Sequence, residues 1–284
     1  MNIHHTSHII LFYMSSFLDI QNLSCGYGNG FRTHDIRLTL AEGSFAGIIG
    51  PNGSGKTTLF RGISGSLPLK TGRILLEGED LSTLSWREKA QKLAIVSQFS
   101  QIADLTVEEY VLMGRLPFRR QFQFFDRKED IEIAHHYMQL TNTYRLRHKS
   151  MEELSGGEQQ MANIASALSQ HPRLLLLDEP TSHLDITHQM QFLNLIQRMN
   201  EEMKLTVMMI VHDLSLAAEY CDFLLMMKDG TTYCQGLPEE VLTYEHIEHV
   251  YNTVVIVKTN PVSGKPVVFP VSERRLRDGN QEKP

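Results

Sequence analysis

Short apolar runs and amphipathic stretches alternate along the second half of the chain. The runs "LLLLD" (174–178), "LTVMMI" (205–210) and "FLLMM" (223–227) are continuously apolar, which is typical of parallel strands buried on both faces. The stretch "LSLAAEYC" (214–221) lies between the last two runs and is apolar at helical spacing. This order predicts an α/β fold in which helices cover both faces of a parallel sheet.

The first half of the chain has a different pattern. Residues 18–49 and "RILLEG" (73–78) contain short alternating runs, which predict an antiparallel β subdomain. The apolar run "KLAIV" (92–96) predicts a further core strand. The fold is therefore expected to combine a parallel core sheet with a separate antiparallel layer.

Residues 99–154 are expected to be mostly helical. Thr106 with Glu109, and Asp126 with Glu129, have the spacing of capping boxes at helix starts. These residues therefore predict a helical subdomain inserted between the "KLAIV" strand and the second half of the chain.

Composition narrows the class of protein. The net charge of −6 argues against a generally basic nucleic-acid binder, so no nucleic-acid partner is predicted. The three cysteines show no paired metal spacing and are interpreted as reduced thiols. The apolar run "IILFYM" (9–14) is far shorter than the ~20 residues that span a bilayer. No Lys or Arg precedes this run, which argues against a signal peptide.

These patterns divide the chain into three parts. Residues 1–13 match no strand or helix pattern and are interpreted as a disordered extension before Met14. Residues 14–258 are expected to form the main domain. Residues 259–284 are interpreted as a C-terminal extension with a charged tail.

The stretch "GPNGSGKTT" (50–58) is the most specific motif of the sequence. It fits G-x-x-x-x-G-K-[ST] and lies between a predicted strand and a predicted helix. In such a loop the backbone N–H groups cradle phosphates, Lys56 reaches the β- and γ-phosphates, and the Thr57 hydroxyl ligates Mg²⁺. The predicted nucleotide-binding residues here are Gly50, Pro51, Asn52, Gly53, Ser54, Gly55, Lys56, Thr57 and Thr58.

A phosphate loop needs a metal anchor on another strand, and "LLLLDEP" (174–180) supplies one. Asp178 ends the apolar run and is placed to hold Mg²⁺, through water. Glu179 follows it and can accept a proton from an attacking water as the general base. Pro180 then ends the strand.

The stretch "LSGGEQQ" (154–160) begins a second predicted helix behind glycines. Met161, Ile164, Ala165 and Leu168 follow at helical spacing. The free N–H groups at such a helix start suit an anion, but no Lys follows the glycines. This stretch is therefore predicted to bind an anion without being a phosphate loop of the usual kind.

The motif "LSGGEQQ", placed shortly before "LLLLDEP", resembles the signature motif of ABC-type ATPases. The resemblance extends over about residues 18–258. It implies a P-loop NTPase fold with a RecA-like core, an antiparallel β subdomain and a helical signature subdomain. Further residues match family motifs in the family's order: Tyr27 the adenine-stacking aromatic, Gln98 the Q-loop glutamine at Mg²⁺ and the attacking water, Asp185 the end of the D-loop, and His212 the switch histidine.

The resemblance implies a site shared by two chains. In this family two ATPase domains face each other head to tail, and the signature helix of one caps ATP held by the other. Ser155, Gly156 and Gly157 would then meet the γ-phosphate of ATP bound to a second copy. The chain has one copy of each motif, so the resemblance implies a homodimer with two sites. Met161 and Ser166 replace basic residues that are usual in the family, and are expected to change packing only.

Two functions agree with the resemblance. One is the ATP-hydrolysing subunit of a membrane importer, and the other is a soluble ABC-type ATPase for iron–sulfur cluster assembly. The stretches "LTVEEYVLMGRLPF" (105–118) and "HDLSLAAEYCD" (212–222), and the end of the domain, resemble ATPases that serve importers of iron–siderophore complexes, haem or vitamin B12. This second resemblance favours the importer.

An importer subunit implies a set of partners. The resemblance implies ATP and Mg²⁺ as cofactors, polytopic permease subunits, a substrate-binding protein that acts through the permease, and a peripheral location on the cytoplasmic side of the inner membrane. Leu105, Val107, Val111 and Leu112 are more apolar than one helix face needs. They are predicted to form a shallow groove that receives a short helix of the permease.

Overall fold

The computed structural model describes residues 16–28, 32–97, 104–120, 123, 125–182 and 184–272, so Met14 and Gln98 lie outside the described residues. The strands are β1 (Leu18–Gly26), β2 (Arg32–Leu40), β3 (Phe45–Ile49), β4 (Leu69–Leu76), β5 (Glu79–Asp80), β6 (Leu93–Val96), β7 (Leu174–Asp178), β8 (Thr206–Ile210), β9 (Phe223–Lys228), β10 (Thr231–Gly236), β11 (Val255–Thr259) and β12 (Pro266–Pro270). The α-helices are α1 (Lys56–Ile63), α2 (Trp86–Lys92), α3 (Val107–Leu112), α4 (Lys128–Leu140), α5 (Gly156–Ser169), α6 (Ile186–Met203), α7 (Leu214–Tyr220), α8 (Pro238–Val241) and α9 (Tyr244–Tyr251). Short 3₁₀ helices span Leu81–Thr83, Met113–Phe118, Tyr144–Leu146 and Met151–Glu153.

The predicted parallel sheet is confirmed. Its strand order is β10-β9-β3-β8-β7-β6, in which β9, β3, β8, β7 and β6 pair in parallel and β10 pairs with β9 in antiparallel. Along β7, Leu175 and Leu177 pack into the core under helices α5 and α6, whereas Leu174 and Leu176 pack into the core on the opposite face. Burial on both faces explains why this strand is continuously apolar.

The predicted antiparallel layer is also confirmed, with strand order β2-β1-β4-β5. Leu18 pairs with Leu40 of β2 and with Leu76 of β4, and all three are fully buried. The buried face of this layer and helix α1 share one hydrophobic core with the parallel sheet. One face of the parallel sheet is therefore covered by a sheet together with a helix, and not by helices alone.

Helices α3 and α4, from the segment 99–154 that was predicted to be helical, pack together and against α5, which begins beyond that segment at Gly156. The capping box of Thr106 and Glu109 is present at the start of α3. The second predicted box is wrong, because α4 is preceded by Arg127 with no side-chain cap and Asp126 instead forms an ion pair with Arg119.

The predicted groove of apolar residues in this subdomain is also wrong. Val107, Val111 and Leu112 are buried in the shared core of α3, α4 and α5, and Leu105 is half-buried. These side chains face inward because α3 is short and must bury one face against two neighbouring helices. Val107, Val111 and Leu112 therefore offer no surface to a partner, and Leu105 alone does not form a groove.

Strands β11 and β12 form an antiparallel hairpin after the last helix, and β12 packs against α7. The predicted boundary at residue 258 falls inside β11, so it does not separate two structural units. Among the helices of the described residues, none combines the length and the apolar character needed to cross a membrane.

Candidate active site

The loop of residues 50–55 connects β3 to α1 at the carboxyl end of the parallel sheet. Gly50 has φ +147° and Gly55 has φ +103°, conformations that L-residues rarely adopt. A Cβ atom on Gly50 would lie 2.3 Å from the carbonyl oxygen of Met227 in β9. The loop therefore needs glycine both for its turn and for its close approach to the neighbouring strand.

Lys56 begins α1 and is only 5% exposed. Its Nζ donates to the carbonyl oxygens of Gly50 at 2.9 Å and Pro51 at 3.1 Å, so the ammonium group lies across the loop. Burial lowers the pKa of Lys56, while the nearby carboxylates of Glu179 and Asp178 oppose this shift. The lysine and the two acidic residues of the other motif are therefore electrostatic neighbours.

Ser54 adds a polar atom to the same loop. Its backbone carbonyl accepts a hydrogen bond from Gly230 at 3.1 Å, which fixes the loop to the turn after β9. Within the described residues its buried Oγ atom has no hydrogen-bond partner. Buried hydroxyl groups are normally satisfied, so this atom favours a ligand in the loop that can exchange hydrogen bonds.

Thr57 and Asp178 are the residues predicted to hold Mg²⁺. The Thr57 hydroxyl donates to Asp178 Oδ1 at 3.3 Å, which joins α1 to the end of β7. Burial and the neighbouring Glu179 carboxylate raise the pKa of Asp178. The Thr57 hydroxyl and the Asp178 carboxylate are two hard oxygen donors, and the Glu179 carboxylate lies beside them. Such donors suit Mg²⁺, which binds few protein groups and completes its shell with phosphate and water. In the part of the chain that the structure describes, no three His, Cys, Asp or Glu side chains could hold a metal by themselves.

Glu179 and His212 form a pair at the ends of β7 and β8. Glu179 Oε1 lies 2.6 Å from His212 Nε2, and the glutamate side chain is mostly buried. Glu179 adopts φ +52°, a left-handed conformation that is uncommon for a non-glycine residue and occurs often at functional sites. This backbone turn sends the Glu179 side chain in a different direction from that of Asp178.

Tyr27 lies on the antiparallel layer at the end of β1. Its ring is exposed, and the Arg61 guanidinium lies 5.9 Å from the ring centroid and donates to the phenol oxygen. The ring therefore lies beside the last turn of α1, and its exposed face can stack on a flat base.

Ser155 is the N-cap of α5, so Gly156 and Gly157 form the first turn of the helix. Glu158 completes a capping box: its carboxylate accepts from the backbone N–H and the hydroxyl of Ser155, at 3.0 and 2.9 Å. These hydrogen bonds hold the pKa of Glu158 below its usual value. Sequence analysis missed this box, although Ser155 and Glu158 have its three-residue spacing.

His188 is a second residue that sequence analysis missed. Its Nδ1 lies 2.8 Å from Asp185 Oδ2, while Asp185 also caps α6 by accepting the His188 backbone N–H. A Cβ atom on Gly157 would lie 3.0 Å from the His188 ring. His188 therefore connects the predicted D-loop to the start of the signature helix within one chain.

The structure thus forms two groups from the predicted residues. Lys56, Thr57, Asp178, Glu179 and His212 meet at the carboxyl ends of β3, β7 and β8, where α/β proteins bind ligands. Ser155, Gly156, Gly157 and Asp185 form the second group, in which His188 contacts both Asp185 and Gly157.

Comparison with known proteins agrees with this arrangement. The family model described as ABC transporter matches residues 33–182, which contain the phosphate loop, the helical subdomain and the Asp178–Glu179 pair. The chain belongs to the ABC transporter family. It is an ATPase of that family, because the matched region is the ATP-binding cassette.

The relatives of this ABC ATPase include the following two ATP-binding proteins. It is 41% identical over 87% of its length to the ABC transporter ATP-binding protein YvrA of Bacillus subtilis (strain 168), of which it spans only 56%. It is 36% identical to the ferric enterobactin transport ATP-binding protein FepC of Escherichia coli (strain K12), over 88% of this chain and 93% of FepC. The solved structure of cbiO1 from Clostridium perfringens, part of the ABC transporter complex cbiONQ, has a TM-score of 0.72 at 27% identity and covers 84% of this chain and 95% of its own.

Proposed function

We propose that this chain is the ATP-hydrolysing subunit of a membrane importer for iron chelates or cobalamin. The observation that carries the proposal is the meeting of the phosphate loop, the Thr57–Asp178 pair and the Glu179–His212 pair at one edge of the sheet. An iron chelate is favoured as substrate by the similarity to FepC over nearly the full length of both proteins. That similarity also favours import over iron–sulfur cluster assembly.

Each residue of the first group has a proposed role. Lys56 exchanges the carbonyl oxygens of Gly50 and Pro51 for phosphate oxygens of ATP, and Tyr27 stacks on adenine. Thr57 and Asp178, with Gln98 as predicted from the sequence, would hold Mg²⁺, which would supply positive charge at the phosphates. Glu179 accepts a proton from the attacking water, and the 2.6 Å contact to His212 orients its carboxylate.

A second copy of the chain completes the proposed site. In the second group Ser155, Gly156 and Asp185 are exposed and Gly157 is half-buried, while the start of the signature helix presents free N–H groups and a positive partial charge. In a head-to-tail homodimer this helix start meets the γ-phosphate of ATP on the partner. ATP then closes the dimer, and hydrolysis removes the charge that both copies hold.

We place the permease contact in a groove different from the predicted one. A cavity of about 300 Å³ lies between the end of β6 and the 3₁₀ helix after α3, and is lined in part by Ile95, Tyr110, Met113, Asn163 and Ser166. Ile95 and Met113 are apolar yet 41% and 45% exposed. Ser166, where the family usually has Arg, leaves room in this cavity. Such a groove suits a short amphipathic helix from a permease, which would keep this subunit on the cytoplasmic side of the membrane.

Capture of the partner from the native cell tests this proposal. The tagged wild-type chain is purified from detergent-solubilised membranes, and polytopic proteins that accompany it are identified. Met113→Glu should lose the permease and keep ATP binding, because a charge on the apolar lining of the groove costs about 2 kcal/mol or more. Met203→Glu is the matched control, since Met203 is 42% exposed at the far end of α6.

Uptake of ferric siderophore and of cobalamin by a strain that lacks the chain then identifies the substrate class. Loss of ferric siderophore uptake alone is the expected result. If the wild-type chain captures no membrane protein and uptake of both compounds is normal, the importer proposal is wrong.

A further inference from the structure

His188 contacts two parts of the second group that are distant in the sequence. The D-loop ends at Asp185, which caps α6, while the signature helix α5 begins behind Ser155. His188 lies in the first turn of α6, and its side chain contacts both Asp185 and Gly157 in the first turn of α5. The D-loop and the signature helix therefore meet at one side chain.

The first contact fixes the direction of the Asp185 carboxylate. Its Oδ1 atom accepts the backbone N–H of His188 at 2.9 Å, and its Oδ2 atom lies 2.8 Å from the ring Nδ1. These hydrogen bonds hold the pKa of Asp185 below its usual value, so the carboxylate is ionised at neutral pH. An ionised carboxylate only accepts hydrogen bonds, so Nδ1 carries the proton. Both carboxylate oxygens are thus held by the same residue.

The second contact places the ring against the start of the signature helix. A Cβ atom on Gly157 would lie 3.0 Å from His188 Cδ2 and 3.3 Å from Cγ, which is closer than ordinary van der Waals contact. The ring therefore occupies the space that a side chain at residue 157 would need. A substitution there would displace the ring, and with it the hydrogen bond to Asp185.

The surroundings of the ring leave it room to move. It lines a cavity of about 590 Å³ between the end of α4 and the first turns of α6, together with Gln139, Asn142, Arg145 and Gln191 among other residues. The side chains of His188 and Asp185 are 48% and 64% exposed, and exposed pairs of this kind add little to the stability of a single chain. The pair therefore matters more for direction than for stability.

We infer that His188 is a positioning residue that fixes Asp185 relative to the signature helix, so that both meet a partner copy as one preformed surface. The inference rests on the proposed shared site. Closure of the dimer then orders one surface in place of two separate segments, which lowers the entropy cost of association. Loss of His188 should weaken ATP-dependent dimerisation more than it destabilises the single chain.

The coupling within one chain is tested without ATP, through the backbone amide NMR signal of Asp185. Gly157→Ala should displace the His188 ring and shift this signal. In a His188→Ala protein, which has no ring, the same Gly157→Ala change should leave the signal in place. Gly156→Ala is the matched control, because its Cβ would have open space within 4 Å, and it should not shift the signal. An Asp185 signal that does not respond to Gly157→Ala when His188 is present would overturn the inference.

The effect on the dimer is measured in the Glu179→Gln background with ATP and Mg²⁺. His188→Ala should raise the dimer dissociation constant roughly tenfold, while the melting temperature falls by less than about 2 °C. His188→Phe keeps a ring beside Gly157 but cannot donate to Asp185, whereas His188→Asn keeps a donor without the ring. Each should weaken dimerisation as His188→Ala does, because coupling needs both contacts.

Gln191→Ala is the matched control for the dimer measurement. Gln191 lines the same cavity one turn further along α6, so this variant should dimerise as the Glu179→Gln parent does. If the parent does not dimerise with ATP, the proposed shared site fails, whereas the NMR comparison still decides whether His188 couples Asp185 to the helix. If the parent dimerises and His188→Ala dimerises equally well, the inference is overturned. It is also overturned if His188→Phe or His188→Asn dimerises as the parent does, because one contact would then suffice.

Discussion

The phosphate loop and the signature helix both place glycines at a helix start, but the chain holds them in different ways. Gly50 has a left-handed φ, and a Cβ atom there would lie 2.3 Å from a neighbouring backbone oxygen. Gly156 has open space within 4 Å of its Cβ position and no unusual φ. The chain's own fold therefore requires the glycine of the loop, whereas nothing around Gly156 in the described residues requires one. This difference favours a requirement from outside the chain, as a second copy would impose.

Glu179 lies with the phosphate loop, and not with the signature helix. Glu179→Gln should therefore slow ATP hydrolysis without preventing closure of the dimer. ATP turnover should fall by about 10²-fold or more, because the amide cannot accept a proton from water. ATP and Mg²⁺ should nevertheless trap the variant as a dimer, since the signature half is intact. Turnover is measured by phosphate release and dimerisation by light scattering; near-normal turnover would remove Glu179 from the role of base.

The two glycines can be compared directly by exchanging each for alanine. Gly50→Ala should lower the free energy of unfolding by ~3 kcal/mol, from strain and overlap with Met227. Gly156→Ala should change it by less than ~0.5 kcal/mol, yet weaken ATP-dependent dimerisation tenfold or more through a methyl group in the seam. Urea unfolding and light scattering give both quantities. A Gly156→Ala protein that dimerises normally would remove the argument for a partner at this residue.

A smaller effect, on the melting temperature, is expected when the Asp178 carboxylate beside the phosphate loop is replaced. Burial raises the pKa of Asp178, so its ionised form destabilises the ligand-free fold, and the penalty grows as pH rises above the unfolded pKa. Asp178→Asn should therefore raise the melting temperature at pH 7 by about 2–4 °C, the shift that ~1 kcal/mol produces in a protein of this size. The gain should vanish near pH 3, where the wild-type group is protonated in both states. A variant that melts earlier at pH 7 would contradict this account.

The smallest effect, on ATP-dependent dimerisation, is expected when the charge of Glu158 at the start of the signature helix is removed. Glu158 places a negative charge beside the Ser155 groups that are proposed to meet a phosphate. Glu158→Gln keeps a capping-box residue and removes this charge, so ATP-dependent dimerisation should tighten roughly fivefold, or ~1 kcal/mol. Unchanged or weaker dimerisation would show that the carboxylate does not face the ligand.

The strand and the turn that carry the residues of the loop half could be predicted, because local spacing encodes them. The continuous run at 174–178 and the glycine pattern at 50–55 each determine their own strand or turn. The predicted groove was wrong because local spacing does not show which segment covers a buried face. The apolar spacing around Val107 shows that one face of α3 is buried, but not that α4 and α5 cover it. The contact of His188 with Gly157 could not be predicted, since it joins segments that are distant in the sequence.

Trapping of ATP by mixed dimers tests the central claim, that one ATP lies between the loop of one copy and the signature helix of another. Lys56→Ala and Ser155→Arg are each made in the Glu179→Gln background, so that hydrolysis does not release the nucleotide. In a mixed dimer both defects fall in one seam and the other seam is intact. We predict one trapped ATP per mixed dimer and none for either parent. Mixed dimers that trap no ATP, or a Ser155→Arg parent that traps ATP normally, would contradict the shared site.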